Sequence, residues 1–178
     1  IGGKVVYTRE TINKIAEIVL KYLEYKEPAY DPQQAVVFLK GKILYDITDE
    51  CEDASIEKSN DSDSRFIIHL NNNKPFSRTR FSIAHELGHL FLHMGYMTDK
   101  WDTAETFKDS IYYRSYNRKH MNYSQEETEA NEFAAAFLMP KEQFRLSLLK
   151  NAFDIEATAL EFQVSIEAAR NRARNLGY

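Results

Sequence analysis

Hydrophobic residues recur at helical spacing in several parts of the chain. The first such stretch covers residues 8–25, where apolar positions return every three or four residues and predict an amphipathic helix. A second helical pattern covers residues 77–93. A third begins at Ser124, which forms a capping box with Glu127, and it stops before Pro140.

Shorter runs of alternating and β-branched residues predict strands. Residues 35–39 and 43–47 are joined by Lys40-Gly41 and predict a hairpin, and residues 65–70 predict a third strand. The acidic stretch 49–64, rich in Ser, Asn and Asp, predicts a solvated loop. A few strands followed by helices predict the α+β class.

Composition narrows the kind of protein. With 43% hydrophobic residues and four prolines among 178 residues, the chain can bury a sizeable core. The net charge of -4 provides no overall basic field, so we do not expect a nucleic acid partner. A single cysteine, Cys51, excludes an internal disulfide and a four-thiolate zinc site. Any metal therefore needs histidine and carboxylate ligands.

Hydropathy bears on where the protein acts. No apolar stretch approaches the roughly 20 residues that span a bilayer. Residues 1–7 lack both the charged and the apolar region of a signal peptide. We therefore expect a cytoplasmic protein with no membrane partner.

One motif carries recognisable chemistry. His85-Glu86-Leu87-Gly88-His89 matches H-E-x-x-H, and on a helix its two histidines lie on one face about 6 Å apart along the axis. Two imidazoles can then converge on one ion, while Glu86 lies beside the open position. From there Glu86 can take a proton from an attacking water and pass it to the leaving amine. The motif predicts one zinc ion per chain, with His85 and His89 as ligands and Glu86 as general base.

The other histidines are less suited to this ion. His93 lies about 12 Å along the helix axis from His85, too far for both to bind one ion. We assign His93 to the helix end as a capping or packing residue. His69 and His120 are isolated histidines, which we expect at the surface or in packing. A third ligand must therefore come from another element.

The third predicted helix offers four glutamates. On a helical wheel Glu132 points away from the apolar face, and Glu127 is occupied by the capping box. Glu126 and Glu129 remain on or beside the inward side. Helix geometry alone does not separate those two.

Two sequence runs carry a resemblance to a known family. Residues 80–93, RFSIAHELGHLFLH, and residues 129–140, EANEFAAAFLMP, together resemble the ImmA/IrrE family of zinc metallopeptidases. The resemblance implies that Glu129 is the third zinc ligand, with Glu126 as the fallback. It also implies a minimal zincin fold, in which a small, mostly antiparallel sheet packs on the H-E-x-x-H helix. Residues 65–70 would then be the edge strand lining the cleft.

The same comparison suggests how the chain is divided. Residues 1–140 would form the metallopeptidase domain and residues 141–178 a helical extension with a helix-turn-helix-like pattern. In the extension Ser165 is the expected N-cap and Gly177 the expected stop. It holds six basic and five acidic residues, a weak footprint for DNA. We expect it to pack on the core.

The resemblance also implies a function. Such a protein would be a zinc metalloendopeptidase that cuts a protein substrate, namely a helix-turn-helix transcriptional repressor or antitoxin-like partner of the kind found on mobile genetic elements. The alternative is a non-catalytic regulatory module that keeps the metal site but binds a protein or DNA. Residues 95–122 are longer and more aromatic than the family implies, and they form either a lid or a surface excursion.

Overall fold

The computed structural model of the protein describes residues 6–26, 28–101 and 123–178. Within those ranges the α+β class is confirmed. No described helix is long and apolar enough to cross a membrane. His120 and most of the predicted lid lie outside the described residues. The elements are α1 Arg9–Tyr22, α2 Pro32–Phe38, β1 Gly41–Ile47, β2 Ala54–Lys58, β3 Phe66–Asn71, α3 Phe76–Leu92, α4 Tyr123–Leu138, α5 Lys141–Lys150, α6 Ile155–Phe162 and α7 Ile166–Leu176.

Helical periodicity located the three longest helices correctly. α1 is capped by Thr8, whose side chain accepts a hydrogen bond from the Thr11 amide at 3.2 Å. α3 and α4 lie within one or two residues of their predicted bounds. The apolar faces of all three enter one hydrophobic core. These helices form because one face of each is buried against the others.

The predicted hairpin is wrong in its first half, because residues 35–39 are helical up to Phe38. Asp31 caps α2 by accepting a hydrogen bond from the Gln33 amide at 2.9 Å, and Pro32 occupies the first helical turn. Lys40 then takes a φ of 61°, and β1 begins at the next residue. A short apolar run suits a buried helix as well as a strand, and the cap decides in favour of the helix.

The three strands form one mixed sheet in the order β1-β3-β2. β1 pairs with β3 in parallel, with Ile43 opposite Ile68. β2 pairs with β3 antiparallel, with Ile56 opposite Ile68. The expected mostly antiparallel sheet is therefore one parallel and one antiparallel pair.

Two predictions about this sheet are corrected. The stretch 49–64, predicted as a solvated loop, contains β2. The strand at 65–70, predicted to be the edge, is β3 and lies in the centre of the described sheet. Phe66, Ile68 and Leu70 are buried within it. β2 is an outer strand of the described sheet, and its first residues, Ala54 and Ser55, line the cleft described below.

The C-terminal helices pack on the rest of the molecule. Phe144 of α5 and Phe162 of α6 belong to the common hydrophobic core. Ser165 caps α7 and Gly177 ends it with a φ of 86°, as predicted. Arg172 is 1% exposed and its Nε donates to the Met139 carbonyl at 3.0 Å, so this arginine is not available to a DNA surface. The division at residue 140 stays a prediction.

Candidate metal centre

α3 places its two motif histidines side by side. The Nε2 atoms of His85 and His89 are 3.1 Å apart. The His89 side chain is almost fully buried and that of His85 is partly exposed. Glu86 follows His85 on the same helix and is buried at 5% exposure. The i, i+4 spacing therefore brings both imidazoles to one point, as helical geometry requires.

α4 supplies a carboxylate to this point through Glu127. Its Oε1 lies 3.0 Å from Nε2 of His89, and its Oε2 lies 3.2 Å from Nε2 of His85. In the described residues, this trio forms a cluster that could hold a metal ion. The sequence pattern assigns Glu127 to a capping box with Ser124. Because α4 already begins at Tyr123, Glu127 lies inside the helix and faces the histidines instead.

Glu129, the glutamate predicted as third ligand, points elsewhere. Residues two apart on a helix are separated by about 200°, so Glu127 and Glu129 cannot both face the histidine pair. Glu129 Oε2 instead contacts Nε2 of His93 at 2.8 Å. The fallback, Glu126, does not belong to the cluster found among the described residues. The third candidate ligand is therefore corrected from Glu129 to Glu127.

Close helix packing makes this geometry accessible. A Cβ added at Gly88 would lie 3.1 Å from both the Cα and the carbonyl oxygen of Ala130. Such contacts are tighter than ordinary packing allows, so the glycine lets α3 and α4 approach. Glu127, one turn before Ala130, is thereby carried to His85 and His89.

The electrostatics favour groups that can bind a cation. Burial lowers the pKa of His89 to about 3, helped by the neighbouring His85 and His93 rings and opposed by Glu127. For His85, burial alone would lower the pKa, but the hydrogen bond to Glu127 and the charge of Glu86 outweigh it and raise the pKa. Burial would raise the pKa of Glu127, yet its hydrogen bonds with both histidines lower it. Glu127 is therefore ionised and His89 neutral.

Contacts behind the histidines orient their rings. Nδ1 of His85 lies 2.8 Å from Oδ1 of Asn131, an acceptor, so Nδ1 carries the proton. Nδ1 of His89 lies 2.9 Å from Nδ1 of His93. Each ring is thus held from behind, and its Nε2 faces the shared point.

The donor set fits zinc. Two imidazole nitrogens and one carboxylate are a known ligand set for catalytic zinc, and they leave one coordination position open. With bond lengths of about 2.0–2.1 Å, neighbouring ligands of a tetrahedral zinc are about 3.3 Å apart. The two Nε2 atoms are 3.1 Å apart, and each lies 3.0–3.2 Å from a different oxygen of the Glu127 carboxylate. With one ligand atom taken from each residue, the three atoms lie within 4.8 Å of one another. His85, His89 and Glu127 could therefore hold the ion with small adjustments.

The cluster opens onto a large cleft of about 1230 Å³. Residues 46–49 and 51–55, which include the end of β1 and the start of β2, line part of it. α7 residues such as Ala168 and Asn171 line another part, and Glu86 lines the same cleft. A peptide segment in the cleft would pass both the cluster and Glu86.

His69, predicted as a surface or packing histidine, is a buried residue of β3. Its Nδ1 contacts the carboxylate of Asp46 at 2.8 Å, and its Nε2 contacts Glu57 at 3.1 Å. The two carboxylates lie on opposite sides of the ring. This arrangement satisfies the histidine within the sheet and provides no common point for an ion.

Fold and cluster together define a minimal zincin-like domain that carries an H-E-x-x-H helix. The chain belongs to the family of IrrE N-terminal-like domains, Peptidase_M78, whose model matches residues 52–174 and so covers more than half of it. This match confirms the resemblance seen in the sequence motifs. Membership of the family supports a metallopeptidase-like role for this chain.

Comparison with solved structures supports the fold. A Mycobacterium tuberculosis transcriptional regulator is similar at a TM-score of 0.62 and 15% sequence identity. The alignment covers 93% of this chain but 46% of that one, so this chain spans about half of the regulator's length. At this identity the likeness concerns the fold alone. No curated protein matches the chain.

Sequence reasoning gave Asn131 no role and assigned Glu127 to a cap. It expected Glu129 at the ion and His93 at the helix end, and His93 is the C-cap of α3. Glu127, Asn131 and Glu129 lie in the E-T-E-A-N run, and His93 lies four residues beyond His89. The spacing held a usable signal, since Glu127 and Asn131 are i, i+4 on one face of a helix and both face α3. Assigning Glu127 to a cap hid that pattern.

Proposed function

We propose that this protein is a zinc-dependent metallopeptidase that hydrolyses a peptide bond within a protein substrate. The observation that supports the proposal most strongly is the convergence of His85, His89 and Glu127 beside Glu86 at the cleft. Family membership agrees with it. A structural cluster alone would not need a second carboxyl group, that of Glu86, lining the same cleft.

The residues divide the chemistry between them. His85, His89 and Glu127 would hold the ion, which when bound polarises both the attacking water and the substrate carbonyl. Glu86 accepts the proton of the attacking water and delivers it to the leaving nitrogen. Because Glu86 is buried at the side of the cleft, it stays positioned for both transfers.

The cleft suits an extended chain more than a small molecule. Its volume of about 1230 Å³ exceeds the size usual for small-ligand pockets, about 300–1,000 Å³. The start of β2 forms part of its wall, at Ala54 and Ser55. An extended substrate can pair with an outer strand by β-augmentation, and here that strand would be β2.

For the substrate itself we propose a regulatory protein of the helix-turn-helix repressor or antitoxin-like kind. This proposal rests on the ImmA/IrrE resemblance. The similar solved structure is that of a transcriptional regulator, and a role in transcriptional regulation agrees with such a substrate. α7 contributes to the cleft wall, so the C-terminal extension would take part in substrate selection.

The test uses purified protein loaded with one equivalent of zinc and two probes, fluorescein-labelled casein and a peptide library digested from a bacterial proteome. Mass spectrometry of the products should show cleavage that a chelator abolishes and zinc restores. Glu86→Gln should retain zinc and lower kcat about 10²–10⁴-fold, the usual contribution of general-base catalysis.

Two results would contradict the proposal. One is a wild-type protein that binds no zinc. The other is that the zinc-loaded protein cleaves neither probe nor a co-expressed repressor, while the Glu86→Gln variant still changes the activity of that repressor. The latter result would favour the regulatory binding module.

A further inference from the structure

A line of hydrogen bonds runs behind the metal cluster, away from the cleft. Nδ1 of His89 lies 2.9 Å from Nδ1 of His93. Nε2 of His93 lies 2.8 Å from Oε2 of Glu129. The His93 and Glu129 side chains are 5% and 7% exposed, so water contributes little to this line.

The far end of the line is anchored from two sides. Oε1 of Glu129 accepts hydrogen bonds from the Gln125 side chain at 2.9 Å and from the Tyr7 amide at 3.3 Å. Its Oε2 is thereby aimed at His93. A carboxylate accepts hydrogen bonds and donates none, so Nε2 of His93 must donate to it.

The proton positions then follow along the line. With its proton on Nε2, the neutral His93 ring has a lone pair on Nδ1, which accepts from Nδ1 of His89. His89 therefore carries its proton on Nδ1. Its Nε2 lone pair is then available to an ion. Without an ion, the Glu127 carboxylate, 3.0 Å from Nε2, competes for the same proton.

We infer that Glu129 and His93 are positioning residues, which hold His89 in the tautomer and ring orientation that binds a metal through Nε2. The inference rests on the proposed zinc site and adds residues that never touch the ion. Partners of this kind commonly tune metal affinity about 10–100-fold.

The inference also explains the two glutamates of α4. Glu127 faces the ion and Glu129, about 200° round the helix, faces the histidine behind it. A packing role for His93 would not require a carboxylate on one ring nitrogen and a metal-binding histidine on the other. The E-x-E spacing thus places one carboxylate in front of His89 and one behind it.

The first test compares His93→Asn with His93→Phe. Asparagine keeps an acceptor near the position of the ring Nδ1, whereas phenylalanine keeps the ring volume and loses the acceptor. Zinc affinity, measured by competition with a chromophoric chelator, should fall about 10–100-fold in His93→Phe and stay within about threefold of wild type in His93→Asn. Glu129→Gln should lose about 10-fold, because its amide can hold His93 in either tautomer.

His69 offers a matched control. It is also a buried histidine between hydrogen-bonding carboxylates, but its partners in the described part of the chain are Asp46 and Glu57, which do not belong to the cluster. His69→Phe should leave zinc affinity unchanged. Equal zinc affinity in His93→Phe and wild type, or equal losses in His93→Phe and His93→Asn, would overturn the inference.

A second measurement does not depend on zinc. Two-bond ¹H–¹⁵N spectra of metal-free Glu127→Gln, which lacks the carboxylate that competes for a proton at Nε2 of His89, should show the His93 proton on Nε2 and the His89 proton on Nδ1. When His93→Phe is added to that variant, the His89 proton should redistribute toward Nε2. An unchanged His89 tautomer in the double variant, or a His89 proton on Nε2 in Glu127→Gln, would contradict the inference. Absence of zinc binding by wild type would instead count against the proposed function.

Discussion

The metal centre and the His69 cluster contain the same kinds of side chain but arrange them differently. His69 is held by Asp46 on one ring nitrogen and by Glu57 on the other, so its partners diverge. His85, His89 and Glu127 direct one atom each to a single point. Burial and composition are therefore poor guides to a metal site. Convergence of lone pairs is the distinguishing feature, and it requires two helices packed closely together.

The largest expected effect separates the two clusters by metal content. His85→Ala and His89→Ala should each reduce bound zinc from about one ion per chain to near zero, because each removes a ligand of the only complete set we assign. His69→Ala should retain about one ion. Metal analysis after dialysis against zinc measures all three. Loss of zinc in His69→Ala, with zinc retained in the other two variants, would contradict the assignment of the metal centre.

The next effect ranks the two glutamates of α4. Glu127→Gln removes a ligand, whereas Glu129→Gln only weakens the support of His89. The former should therefore lose more affinity than the latter, whose cost we place at about 10-fold. Chelator competition on both proteins provides the ranking. A reversed order would restore Glu129 as the ligand and refute the corrected site.

A third prediction concerns how α4 is held at the metal centre, a constraint that the His69 cluster does not share. Arg172 of α7 pairs with Glu132 of α4 at 3.4 Å and is buried. Removing it takes one partner from the buried carboxylate, which keeps Arg9 and Asn13, so Arg172→Ala should lower the free energy of unfolding by about 1.5–3 kcal/mol.

The exposed Arg170 of the same helix provides the control for that change. Arg170→Ala should alter stability by less than about 0.5 kcal/mol. Urea unfolding of the metal-free proteins measures both values. Similar costs for the two substitutions would show that the buried pair does not secure the extension.

The smallest expected effect comes from the contact between the helices. Gly88→Ala inserts a methyl group 3.1 Å from the Ala130 backbone. The overpacking should cost about 1–3 kcal/mol of stability even though alanine favours helices, and it should weaken zinc binding by moving Glu127. Thr79→Ala, on the same helix, tests helix propensity without this contact. If Gly88→Ala were as stable as Thr79→Ala, the contact between α3 and α4 would have enough space for the added methyl group.

Elements with strong periodicity were predictable from sequence, because a buried helical face must repeat every three or four residues. The signals at Ser165 and Gly177 were also sufficient, since capping depends on local backbone groups. α2 was mistaken for a strand because Asp31-Pro32 was not recognised as its start. The sequence motif likewise sufficed to place His85, Glu86 and His89 together.

Other features depend on contacts between distant residues. The order β1-β3-β2 is set by pairing partners, so residues 65–70 could not be recognised as a central strand from their own pattern. Ile56 is the one buried hydrophobic residue of β2, so the strand has little pattern of its own. Its conformation depends on pairing with β3. The choice of Glu127 over Glu129 depends on where α4 begins and on its rotation against α3. Assigning Glu127 to the cap was enough to favour Glu129.

The most direct measurement of the central claim is anomalous diffraction at the zinc edge from crystals grown with one equivalent of zinc. We predict a single anomalous peak about 2.0–2.2 Å from Nε2 of His85, Nε2 of His89 and a carboxylate oxygen of Glu127. A peak coordinated by Glu129 instead, or no peak between the two histidines, would contradict the account.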